Sequence, residues 1–294
     1  MILLATPRFT RGSARRGIGL SALVALGTLV AVACGGGGGD AIDLGGGRDG
    51  GIGLPTPVVT ADCEARKAQI EGQTTGVTVT CNPDNTMTLA SHNGLPDHDM
   101  MHGIVNWIDR VPVPYPIAWT VPLKPAFQDA ITNTTGIGPN AFAINGVPIF
   151  HYSTAPDPSI DLNRNYRDTV KGQELDDCGG HSGQGDDYHY HQAPTCLADT
   201  QHLDHPIAYT IDGAPVFYGG APASPERTAR NLDGYNAPTG LDPCNAMRHG
   251  DSWIYYTTET IPYVVGCHHT AGIDNAGYNV PLFRDQKVAD ALGN

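Results

Sequence analysis

From residue 61 onward, apolar positions alternate with polar or small ones in short bursts, separated by glycine, proline and asparagine. A period of two sends successive side chains to opposite faces of a strand, so the pattern predicts sheet. Residues 76–81 and 86–90 alternate in this way around Asn82-Pro83-Asp84-Asn85 and predict a hairpin. The proline-dense stretch 111–125 suits edge strands and extended connections, not helix or central sheet. No window carries a long, capped apolar stripe of period 3.6, and residues 285–292 offer at most a terminal turn or two of helix. With 37 glycines and 23 prolines, the expected class is mainly β with long irregular connections and little helix.

The same pattern occurs twice. Ala143-Ile144-Asn145-Gly146-Val147-Pro148-Ile149-Phe150 is answered by Thr210-Ile211-Asp212-Gly213-Ala214-Pro215-Val216-Phe217. Each reads as strand, Asn-Gly or Asp-Gly, strand, which predicts a hairpin closed by a type I′ turn. Downstream, Leu175-Asp176-Asp177-Cys178 matches Leu241-Asp242-Pro243-Cys244, and an aromatic strand and a closing cysteine follow each. We therefore expect a duplicated β-rich unit, with pseudo-repeats at about 141–196 and 207–267, packed as one disulfide-stapled domain.

The aromatic strand of the first copy is Tyr188-His189-Tyr190-His191. Alternation places His189 and His191 side by side on one face, a spacing at which two imidazoles can grip one transition metal. His181, on the glycine-rich turn 178–181, can fold back as a third ligand, and His98 can be delivered from a loop as a fourth. Asp186, Asp187 and Glu174 are candidate acceptors to orient the imidazoles. The second copy carries Trp253-Ile254-Tyr255-Tyr256 instead, so one half reads as a polar site and the other as packing. Met100 and Met101 read as core filler beside His102. His268 and His269 are consecutive and should diverge, and His151, His202, His205 and His249 read as surface residues. Asp161–Asn165 starts like a calcium loop but lacks the glycine and glutamate such a loop needs.

The N-terminus carries Arg8, Arg11, Arg15 and Arg16 and then a short apolar run, the pattern of an export signal. Ala31-Val32-Ala33-Cys34 resembles a bacterial lipoprotein lipobox, with alanine at position 31 where leucine is preferred; it implies cleavage after residue 33 and lipidation of Cys34. Residues 34–60 read as a glycine-rich tether and 61–294 as the folded domain. The chain has 17 basic and 30 acidic residues, and a leader with four arginines and no acids leaves the remainder more acidic still. Such a charge repels nucleic acid. Setting Cys34 aside leaves six cysteines, which allow 15 pairings. Sequence order points to Cys63 with Cys81, Cys178 with Cys196, and Cys244 with Cys267, as staples of an exported protein.

Taken together, Asn93–His98, the Asn145–Pro148 hairpin, Leu175–His181 with Tyr188–His191, Asp212–Gly219 and Pro262–Cys267 resemble the YHYH-domain proteins. That family is exported and largely uncharacterised, so the resemblance implies a fold family and brings no activity with it. The leading expectation is a lipid-anchored extracytoplasmic domain, at the outer membrane or cell surface, binding copper or zinc through His189, His191, His181 and His98. The alternatives are a non-catalytic surface module binding glycan or protein, and a metal-dependent hydrolase of an extracellular polymer.

Overall fold

The computed structural model describes residues 52–106, 110–133, 138–153, 168–183 and 186–270. The chain divides into two units, Met1–Asp43 and Leu44–Asn294, and every described residue belongs to the second. The export signal, Cys34, the calcium-like run and residues 285–292 lie outside the described residues.

Asp62 caps the first element, α1 (Cys63–Gln73), by accepting a hydrogen bond from the Ala65 amide. This helix escaped the pattern because only Arg66 and Ile70 face inward, too few for an apolar stripe. The expected hairpin follows as β1 (Val77–Cys81) and β2 (Thr86–Ser91), with β3 (Ile117–Pro122) completing a three-stranded antiparallel sheet. β3 is an edge strand, as suits the proline-rich stretch it lies in and its terminal Pro122. β4 (Phe127–Asn133) pairs only with the last strand, β13 (Cys267–Thr270).

The main sheet takes four strands from each expected repeat. The first stretch supplies β5 (Pro139–Ala143), β6 (Pro148–Phe150), β7 (Gly180–Ser182) and β8 (Tyr188–Tyr190). The second supplies β9 (Ala208–Thr210), β10 (Pro215–Phe217), β11 (Ala246–His249) and β12 (Ser252–Tyr256), with a short helix α2 (Pro225–Ala229) between β10 and β11. The order is β11-β12-β10-β9-β5-β6-β8-β7. Read outward from the central β5–β9 pair, both halves have the same order. Both also have the same senses: an antiparallel hairpin, a parallel neighbour, then an antiparallel edge.

The hairpin turns differ from expectation. Only Gly146 (φ 81°) and Gly213 (φ 87°) have positive φ, while a type I′ turn needs two such residues. Gly146 N–H donates to Ala143 and Ala143 N–H to Val147, making a three-residue loop with glycine in the left-handed position. Asn145 is thereby free to accept from the Val147 amide and to reach Tyr190.

One sheet face packs Ala141, Ile149, Tyr188, Tyr190, Val216 and Tyr255 into the largest core cluster. On the other face, Phe142 and Tyr209 at the centre meet α1 and the three-stranded sheet, with Trp119 stacked on Phe142 at 3.6 Å. Cys63–Cys81, Cys178–Cys196 and Cys244–Cys267 are the three disulfides. Part of the expected tether belongs to the domain: Leu54 and Val59 pack on Phe217, Ile254 and Tyr256, and the Val58 amide donates to Asp204.

Candidate metal centre

On the second sheet face, at the outer edge of the first half, three histidines converge. β7 and β8 pair with His181 directly opposite His189, so both rings project to the same side. His191 follows just past the end of β8 and shares that face. All three are buried. Nε2 of His191 lies 3.1 Å from Nε2 of His189 and 3.2 Å from Nε2 of His181, and the three donor atoms all fall within 4.8 Å of one another.

The opposite ring nitrogens decide what those contacts mean. Nδ1 of His181 meets the Glu174 carbonyl at 3.1 Å, Nδ1 of His189 meets the Asp187 carboxylate at 3.0 Å, and Nδ1 of His191 meets the His151 carbonyl. These oxygens only accept, so each Nδ1 carries the ring's hydrogen and each Nε2 of a neutral imidazole is a bare lone pair. Bare lone pairs at this separation repel, and a cation among them turns the repulsion into attraction. A proton on His181 or His191 is poorly suited to the role. Burial first, and neighbouring imidazoles second, push His181 down to about 3 and hold His191 well below its ordinary range. Neutral imidazole is, by contrast, a good ligand for a transition metal. The three histidines therefore form a group that could hold a metal ion.

Local structure sets these rings. Asp176 Oδ1 accepts from the amides of Cys178 and Gly180, both at 3.0 Å, and closes the turn that launches β7. The Cys178–Cys196 disulfide ties that turn to the chain beyond β8. Phe150 stacks on the His189 ring at 4.3 Å and meets His191 edge-on. Gly183 passes so close that a Cβ there would sit 2.5 Å from Cε1 of His189.

The structure brings together His181, His189 and His191 but not His98. His98 lies across the strand, where Nδ1 donates to the Asp99 carbonyl and Nε2, bare as a result, accepts from the Tyr190 hydroxyl at 2.8 Å. Asn145 donates to the same hydroxyl, and Tyr188 donates to Asp176 at 2.7 Å. Cys178 and Cys196 lie near His98, but their sulfurs are joined and offer no thiolate. Of the expected orienting acids, Asp187 acts through its carboxylate, Glu174 through its backbone carbonyl, and Asp186 pairs with Arg110. Met101 sulfur accepts from the Ser182 amide. His268 faces Asp212 and His269 faces Asp242, so the consecutive pair does diverge. His151, read as a surface residue, is half-buried and holds His191 through its main chain, a role no side-chain pattern could reveal. Phe150 had a signal, since the second hairpin also ends in phenylalanine.

Residues 118–232 match the family model described as YHYH protein, a span that includes all three histidines. This span is a YHYH domain. No curated protein and no solved structure matches it. The family and the three disulfides fit an exported YHYH-domain protein. Among its described residues, no helix is long and apolar enough to cross a membrane.

Proposed function

We propose that this YHYH-domain protein is an exported, lipid-anchored domain that binds one transition metal ion, zinc or copper, through Nε2 of His181, His189 and His191. The observation that carries this reading is the set of three bare, buried Nε2 atoms, each ring held by an acceptor at Nδ1. Hydrogen bonding of the distal nitrogen fixes the tautomer and orientation of a ligating histidine. An all-imidazole set without thiolate or thioether favours zinc or copper(II) over copper(I). Untagged mature protein purified without chelator should contain one equivalent of metal, and His189→Ala or His191→Ala should contain none while remaining folded. Wild-type protein that takes up no transition metal would refute the reading.

The anchor rests on the lipobox-like Ala31–Cys34 and the glycines that follow it. With Gly35, not aspartate, after the cysteine, a host with two membranes would carry the protein at the outer membrane or cell surface. Cys34→Ser should move it from the membrane fraction to the soluble or unprocessed one; membrane association unchanged by the substitution would rule the lipid anchor out.

A further inference from the structure

Metal coordination by imidazole is half of the chemistry at this centre, and the other half follows from counting donors. Structural zinc sites are closed by four protein ligands, whereas a site with three keeps a position for an exogenous one. Among the described residues, the histidine, cysteine, aspartate and glutamate donors that converge here number three. Other candidate donors are engaged elsewhere. Asp187 turns its Oδ2 to His189 Nδ1, His98 serves Tyr190 across the strand, His151 binds Ser153 through Nδ1, and Met101 sulfur takes the Ser182 amide.

The charge balance then selects the class of ligand. Three neutral imidazoles leave the charge of a divalent ion undiminished, and the adjacent Asp187 carboxylate offsets only part of it. A net positive centre among buried groups is costly unless an anion joins it. At the His189–Asp187 edge the side chains keep a trace of exposure, 7% and 10%. Gly183 leaves that edge without a side chain of its own, 3.1 Å from Asp187 Oδ1 at the point a Cβ would occupy.

We infer that the three-histidine centre, once loaded, keeps an open coordination position that takes a small anion, either hydroxide or the carboxylate of a small ligand. This rests on the metal-binding reading above and adds to it a reactive position in place of a closed structural site. A water bound there would lose a proton far more readily than bulk water does, as it does in open zinc sites.

Cobalt(II) makes the position visible, because its visible absorption responds to every change in its ligands. The full mature protein, stripped and reloaded with one equivalent of cobalt(II), should show a saturable one-to-one shift of those bands on titration with azide, and acetate should compete with azide for the same position. Stoichiometric cobalt with bands that neither anion moves would mean a fourth protein ligand closes the site, and would overturn the inference while leaving metal binding intact. Failure to bind cobalt, zinc or copper at all would remove the metal-binding reading, and the inference with it.

Discussion

The two halves of the main sheet share a frame and differ in what the frame carries. Ile149 pairs with Tyr190 as Val216 pairs with Tyr255, which aligns Phe150 with Phe217, His189 with Ile254 and His191 with Tyr256. The edge pairs align His181 with Met247. Even the launching turn is the same: Asp242 accepts from Cys244 and Ala246 as Asp176 does from Cys178 and Gly180. At the aligned positions one half presents three imidazoles, and the other presents an apolar cluster of Phe217, Ile254 and Tyr256, with Met247 packed on it and Leu54 and Val59 over it. The frame does not depend on the three histidines, because the second half builds it with Met247, Ile254 and Tyr256 in their places. The histidines are a load placed on a scaffold that stands by itself.

The sharpest break in the comparison comes from matched substitutions. His189→Ala should abolish stoichiometric metal with the domain still folded, as seen by metal analysis and circular dichroism. Ile254→Ala at the aligned position should keep all the metal and cost about 2–5 kcal/mol of stability in urea melts. Equal metal loss from both would show that the halves are not independent.

The disulfides extend the test. Each of Cys178–Cys196 and Cys244–Cys267 closes a loop of similar length, and removing either should cost about 3 kcal/mol. Only loss of the first should also weaken metal affinity, which isothermal titration would resolve.

Acidity should separate the halves next. His181 is held at about 3, chiefly by burial, against about 6.5 for a free imidazole. The metal-free fold refuses a proton that the unfolded chain accepts, so this contribution is whole above about pH 6.5 and drains away as pH falls toward 3. At pH 5 the loss from this ring alone is about 2 kcal/mol. Urea melts of metal-free protein at pH 7 and pH 5 measure it, and His181→Gln should flatten the slope.

The smallest contrast lies in two tyrosines. The Tyr190 hydroxyl serves both Asn145 and His98, so Tyr190→Phe should cost about 1–3 kcal/mol. The buried Tyr256 hydroxyl has no hydrogen-bond partner among the described residues, so Tyr256→Phe should stay within about 0.5 kcal/mol of wild type in the same melts.

Much of this was legible in the chain because it depends on period and order. The β class, the edge position of β3, the paired hairpins, the three cysteine pairs and the shared face of His189 and His191 all follow from alternation and spacing. What escaped is what depends on main-chain atoms or on distance in space. The carbonyls of Glu174 and His151 orient two rings whatever their side chains are, and α1 turns only two residues inward. His98 lies within a family-like segment, yet whether it faces the histidines or the tyrosines depends on which side of β8 its loop crosses, and periodicity does not encode that.

The acceptors behind the three rings bear on the order of events in the protein's making. Glu174, Asp187 and His151 hold their imidazoles by hydrogen bonds that need no ion, and the disulfide beside them forms by oxidation alone. Folding can therefore finish before loading begins, unlike in small zinc modules, where the metal supplies the folding energy. On the metal-binding reading proposed above, such a protein can fold and oxidise outside the cytoplasm first and take its ion there afterwards.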